Sequence, residues 1–141
     1  MKTKKLVLDF VQLPKYQWIG ICSPHADYRF VWNLNNELGI KLVQANNQFT
    51  KFSKKTGDVT FSTFEWKNEQ DFSNVRLIKN KNGNHFLIPE KFQIDYWFVI
   101  LETNRWEIDE LIEKIRSINV VMLCSSFDSE SMPSTETIIL E

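Results

Sequence analysis

A chain of 141 residues has the length of one domain, and 43% apolar with 25% charged residues is the composition of a globular protein. At that size a core forms without disulfide staples. A net charge of −1 provides no global field toward nucleic acid or membrane, and no apolar run approaches the roughly 20 residues that span a bilayer.

The start MKTKK precedes LVLDFVQLPK, but Asp9, Gln12 and Lys15 break that run and no small-residue cleavage site follows. Export is rejected on this reading, and a cytoplasmic protein is expected. Residues 4–13 and 16–22 read as two strands joined at Pro14-Lys15, with Gly20 marking a bulge or a close backbone approach. Residues 23–39 read as a helix. Ser23 suits the N-cap, Pro24 the first helical position and Gly39 the position past the end. Asp27, Val31, Leu34 and Leu38 share one face, with Phe30 beside them.

A strand at 40–43 and a polar passage, QANNQ, follow, and then hairpins with a turn at Gly57. Val59 and Phe61 point one way while Phe64 and Trp66 are out of phase, so a bulge is expected near Ser62-Thr63. Asn82-Gly83 signals a second tight turn whose two central residues take positive φ. Residues 95–102 are apolar almost throughout, as in a central strand covered on both faces.

A second helix at 104–118 opens with Asn104 and Glu107 in capping-box spacing and aligns Ile108, Leu111, Ile112, Ile115 and Ile118. Its acids come early and its bases late, matching the helix dipole. Strands at 120–127 and 136–141 complete the chain. Strand–helix–strand units near each end, with hairpins between, give a single α+β domain over 1–141. The expected architecture is a mostly antiparallel sheet with two amphipathic helices packed on it, ferredoxin-like or ACT-like with extra hairpins.

Chemistry-bearing patterns are sparse. Cys22 and Cys124 each end an apolar run and read as buried free thiols. Cys22-Ser-Pro-His25, with His85 and Cys124 elsewhere, lacks the tight paired spacings of zinc sites. The glycines are isolated, so no phosphate loop exists. No catalytic residue, metal or cofactor is assigned. Lysines 51, 54, 55, 79, 81 and 91 interleave with Phe49, Phe52 and Phe92, a pattern that suits single-stranded RNA. Asp58, Glu65, Glu69 and Asp71 among them, and the net charge, weigh against nucleic acid. The most functional-looking surface lies on the first helix. Tyr28, Trp32, Asn35 and Asn36 share one stripe and Arg29 stands next to it, and such aromatics and arginines dominate binding hot spots. The plainer alternative lays Tyr28 and Trp32 onto the sheet.

Ile88-Pro89-Glu90 and, three residues on, Ile94-Asp95-Tyr96 resemble the signature of the IPExxxVDY family, bacterial proteins with no assigned activity; Ile94 stands where that family has Val. HADYRFVWNLNNELGI is similar to the family's first helix. The resemblance implies a small cytoplasmic α+β protein and carries over no catalytic residue. Within the motif, Pro89 is expected to end a strand or mark an edge. Glu90 and Asp95 are expected to satisfy backbone donors at a tight corner or to pair with Arg29 or Arg76. Tyr96 brings an apolar ring with a polar tip. A carboxylate pair acting on a ligand is the functional alternative. These readings together describe a non-catalytic binding or adaptor protein for a protein partner, with homodimerisation compatible. An ACT-like small-molecule-sensing module is the alternative, ahead of an RNA-associated role.

Overall fold

The computed structural model describes residues 15–140; the expected strand at 4–13 and its joint at Pro14 lie outside them. In chain order the elements are β1 (Gln17–Cys22), α1 (Asp27–Leu38), β2 (Val43–Gln44), β3 (Phe49–Lys51), β4 (Val59–Phe61), β5 (Thr63–Asn68) and β6 (Ser73–Lys79). Then follow β7 (Lys81–Asn82), β8 (His85–Phe86), β9 (Tyr96–Glu102), α2 (Ile108–Arg116) and β10 (Leu123–Phe127), with short 3₁₀ turns at Pro89–Lys91, Ser129–Ser131 and Pro133–Thr137. Six strands form one sheet in the order β10-β1-β9-β6-β5-β2, and every neighbouring pair is antiparallel. The pairs β3–β4 and β7–β8 are separate two-stranded ribbons.

Each helix links strands that run parallel without touching. From β1, α1 leads to β2 with three strands intervening, and α2 leads from β9 to β10 with β1 between them. Both helices bury their apolar stripes on one face of the sheet. Phe30, Leu34 and Leu38 of α1 and Leu111 and Ile115 of α2 meet Ile19, Ile21, Leu77 and Phe98 there. The opposite face carries Trp18, Trp97, Val99 and Ile78. Phe61, Leu87, Ile88, Ile94, Met132 and Ile138 cover it from the ribbons and the C-terminal turns. Burial on both faces is what makes β9 apolar at nearly every position. Among the described residues no helix is long and apolar enough to cross a membrane.

The phase change at Ser62 is therefore a change of layer. Phe61 belongs to the ribbon-side core, while Phe64 and Trp66 pack against the helix-side core, so the chain leaves one ribbon and enters the sheet at this point. Gln48 secures the transition. Its side-chain oxygen accepts from Thr63 N–H at 2.8 Å and its amide donates to Ala45 O at 2.8 Å.

Several boundaries differ from expectation because distant groups claim the local ones. The helix α1 begins at Asp27, not after Ser23, since the Ser23 N–H donates to the Asp95 carboxylate at 2.8 Å. The capping box of α2 does not form. Asn104 N–H donates to Asp71 O at 3.0 Å, and the helix starts at Ile108. The expected strand at 40–43 moves to β2 at Val43–Gln44 because Asn35 clamps Leu42, accepting from its N–H at 2.8 Å and donating to its carbonyl at 3.2 Å. In the β7–β8 turn the central residues are Gly83 and Asn84, and Gly83 alone has positive φ. Through residue 140 the expected C-terminal strand is instead a 3₁₀ turn followed by Ile138 inserted in the core.

Gly20 marks a close approach, because a Cβ there would lie 2.6 Å from the Phe127 ring and 3.0 Å from Ile94 Cδ1. Gly20→Val is expected to cost about 1–3 kcal/mol through overpacking. Phe72 is the opposite case. It holds φ of 52° at the β5–β6 turn while 63% exposed, a conformation unfavourable for a bulky residue. Phe72→Gly is expected to raise stability by about 1 kcal/mol. Urea denaturation midpoints of the two variants check both signs.

Candidate functional site

The segment from the end of β6 to the start of β9 folds as a corner around one buried amide. Asn80 is fully buried, and each of its polar groups is engaged. Its backbone N–H donates to Asp95 O at 2.9 Å and its carbonyl accepts from Leu87 N–H at 2.7 Å. The side-chain oxygen accepts from Ile88 N–H and from the Trp97 indole, both at 2.9 Å. The side-chain nitrogen donates to Lys91 O at 3.0 Å and Ile94 O at 2.9 Å. Pro89, which has no N–H to satisfy, opens the 3₁₀ turn that this network closes.

The two carboxylates of the motif are both exposed and solve separate problems. Glu90 caps the turn Pro133–Thr137, accepting the Ser134 N–H at 2.8 Å and the Ser134 hydroxyl at 2.6 Å. Burial pushes the Glu90 carboxyl up, but the Ser134 bonds and nearby Lys51 prevail and hold it below the usual range. Asp95 accepts the Ser23 N–H and fixes the end of β1 ahead of α1. Tyr96 stacks on Phe30 with ring centroids 4.6 Å apart. Its hydroxyl lies 2.9 Å from His25 O and 3.0 Å from Asp27 Oδ1, and Asp27 also pairs with Lys79 at 3.3 Å. Burial, with Asp27 and Asp95 adding to it, raises the phenol far above its ordinary value, so it remains a donor.

On α1 the structure separates the sequence-selected residues. Tyr28 is 78% and Trp32 64% exposed, one turn apart on the solvent side, because Phe30, Val31, Leu34 and Leu38 already fill the sheet side. Arg29 and Asn36 are exposed next to them, whereas Asn35 is committed to its clamp on Leu42. An open depression of about 390 Å³, lined by Pro24, His25, Ala26, Tyr28 and Arg29, adjoins the aromatic pair.

The cysteines stand on adjacent strands but on opposite faces. Cys124 pairs across from Ile21, and Cys22 from Leu123. No disulfide can bridge that arrangement. Burial raises both thiols, Cys124 to about 12 despite Arg116, which favours the protonated form of each. Among the described residues no group of three His, Cys, Asp or Glu side chains gathers as a metal ion requires. The sequence hides Asn80 because it sits in NKNGN, where an asparagine reads as turn chemistry.

Comparison with protein-family models, curated proteins and solved structures finds no match to this chain.

Asn80→Ala is expected to cost about 3 kcal/mol or more by leaving buried donors and acceptors unpaired, against about 1 kcal/mol for Asp95→Ala, which removes the one part-buried bond to Ser23 N–H. Chemical denaturation separates the two. Because the folded Glu90 pKa is depressed, its contribution is present above the unfolded carboxyl value and is lost as pH falls through the folded one. Glu90→Gln should therefore flatten the stability loss between about pH 5 and pH 3, as read by urea midpoints across that range.

Proposed function

We propose that this is a non-catalytic binding protein that recognises a protein partner through the outer face of α1. One observation carries the reading: the core uses neither Tyr28 nor Trp32, yet both large rings stand in solvent beside Arg29. Aromatic and arginine side chains of this kind supply most of the energy in protein interfaces. A second copy of the chain is one partner this surface would accept.

The architecture reads as a ferredoxin-like frame with β5–β6 inserted as an extra hairpin. Support comes from the two crossovers: α2 joins β9 and β10 with β1 between them, and α1 joins β1 and β2 with β9 and the β5–β6 hairpin between them. The Pro89-Glu90 and Asp95-Tyr96 corner supports grouping the chain with IPExxxVDY proteins. An alternative, small-molecule sensing of ACT-like type, draws support from an open cleft of about 520 Å³ between the β2–β3 segment and the C-terminal residues Ile139 and Leu140, with Lys67 and Arg76 on its wall.

The test is affinity capture with the full chain as bait, with and without nuclease, against an Arg29→Glu/Trp32→Ala bait of unchanged melting temperature. A nuclease-resistant partner whose affinity falls about 30-fold or more with the double variant supports the proposal. Equal capture by both baits overturns it. A saturable melting shift with a metabolite, and no partner dependent on α1, favours the sensor reading.

A further inference from the structure

In the linear sequence the lysines of the hairpins are interspersed with acids, but the fold sorts them. Glu65 turns to Arg76 at 3.8 Å and Asp71 to Arg105 at 3.3 Å. Glu69 and Asp71 also lie beyond the far end of β5, about 20 Å along a six-residue strand from the ribbons. Lys79 leaves the group for Asp27.

What remains is gathered by contacts between the two ribbons. The Asn82 amide donates to Thr60 O at 2.7 Å, and Lys51 Nζ donates to Phe86 O at 3.4 Å and Leu87 O at 3.5 Å. The joined ribbons and the following 3₁₀ turn carry Lys51, Lys54, Lys55, Lys81 and Lys91, and the acids among them are Asp58 and Glu90. Glu90 is engaged by Ser134. Aromatic rings interleave with these cations. Phe52 is 78% and Phe92 63% exposed, and Phe92 meets Phe86 edge-on at 6.3 Å. Lys81 lies 5.9 Å over the Phe86 ring. A chain with a net charge of −1 thus carries five lysines and two exposed rings on the joined ribbons and the turn that follows them, with Phe52 at the mouth of the cleft that Ile139 and Leu140 line.

We propose that the joined β3–β4 and β7–β8 ribbons bind single-stranded nucleic acid. Phe52 and Phe92 offer π-faces on which unpaired bases stack, and Lys54, Lys55 and Lys81 neutralise the phosphates between them. Stacking and charge without base-edge partners make such a site tolerant of sequence. The rings are divided by lysines and do not form a continuous apolar tip, so a stacked strand fits this surface better than an acyl layer does. The site is independent of the outer face of α1 and stands or falls separately from it.

The test is fluorescence anisotropy with the full chain and a labelled oligouridine 12-mer, titrated from 50 to 200 mM salt. Three phosphate contacts predict a roughly 20-fold loss of affinity over that range. Lys54→Glu/Lys55→Glu should abolish most binding and flatten the salt slope. Phe52→Ala should lower affinity about 10-fold with an unchanged melting temperature, as expected for an exposed ring. Absence of binding at 50 mM salt overturns the proposal. So does binding that neither variant weakens, or capture by phosphatidylserine vesicles with no retention of the oligonucleotide.

Discussion

The corner between β6 and β9 depends on a single buried amide, and much of the ribbon-side core depends on that corner. Asn80 faces two carbonyls and two N–H groups with its side chain alone. Only a primary amide presents two donors and an acceptor at that reach. An aspartate would turn an oxygen toward the Lys91 and Ile94 carbonyls, and a leucine would remove the side-chain partner of the Ile88 N–H, the Trp97 indole and the Ile94 carbonyl, while the Lys91 carbonyl would keep the Ile94 N–H. The network sets where Ile88, Ile94 and Trp97 enter the core, and so where both ribbons lie against the sheet. Buried polar networks of this kind are valuable when complete and costly when broken.

A fully satisfied hub leaves the neighbouring carboxylates to serve backbone donors elsewhere. Glu90 reaches outward to cap a turn 44 residues away in sequence, while Asp95 reaches the other way to the end of β1. Each meets an unpaired backbone donor. Tyr96 completes the set by fastening the start of α1 to the start of β9. The motif is chemically rich because three separate segments converge on one bend, and each brings polar backbone that must be paired.

Periodicity carried the sequence reading where burial is one-sided or complete. The faces of α1 and α2 and the doubly covered β9 were legible for that reason. The phase slip between Phe61 and Phe64 was visible too, although a change of layer and a bulge leave the same trace in one dimension. Helix starts were not legible, because the Ser23 and Asn104 amides are taken by Asp95 and by the Asp71 carbonyl, partners far away in sequence. Long-range partners likewise hid Asn35 and Asn80 among polar neighbours. Spacing put Tyr28 and Trp32 on a common stripe but left open whether that stripe extends the sheet-facing one.

Asp95 joins the two halves of the molecule more directly than any other residue of the motif. Its N–H donates to Ile21 O at 3.0 Å, its carbonyl accepts from Asn80, and its carboxylate accepts from Ser23. One residue thus touches the hub that orients the ribbons and the segment that starts α1. With all three groups engaged, moving this junction would break three hydrogen bonds. A hinge would need a second hydrogen-bonding arrangement close in energy. The outer face of α1 and the basic ribbons therefore lie on opposite layers in a set relation, with the sheet between them.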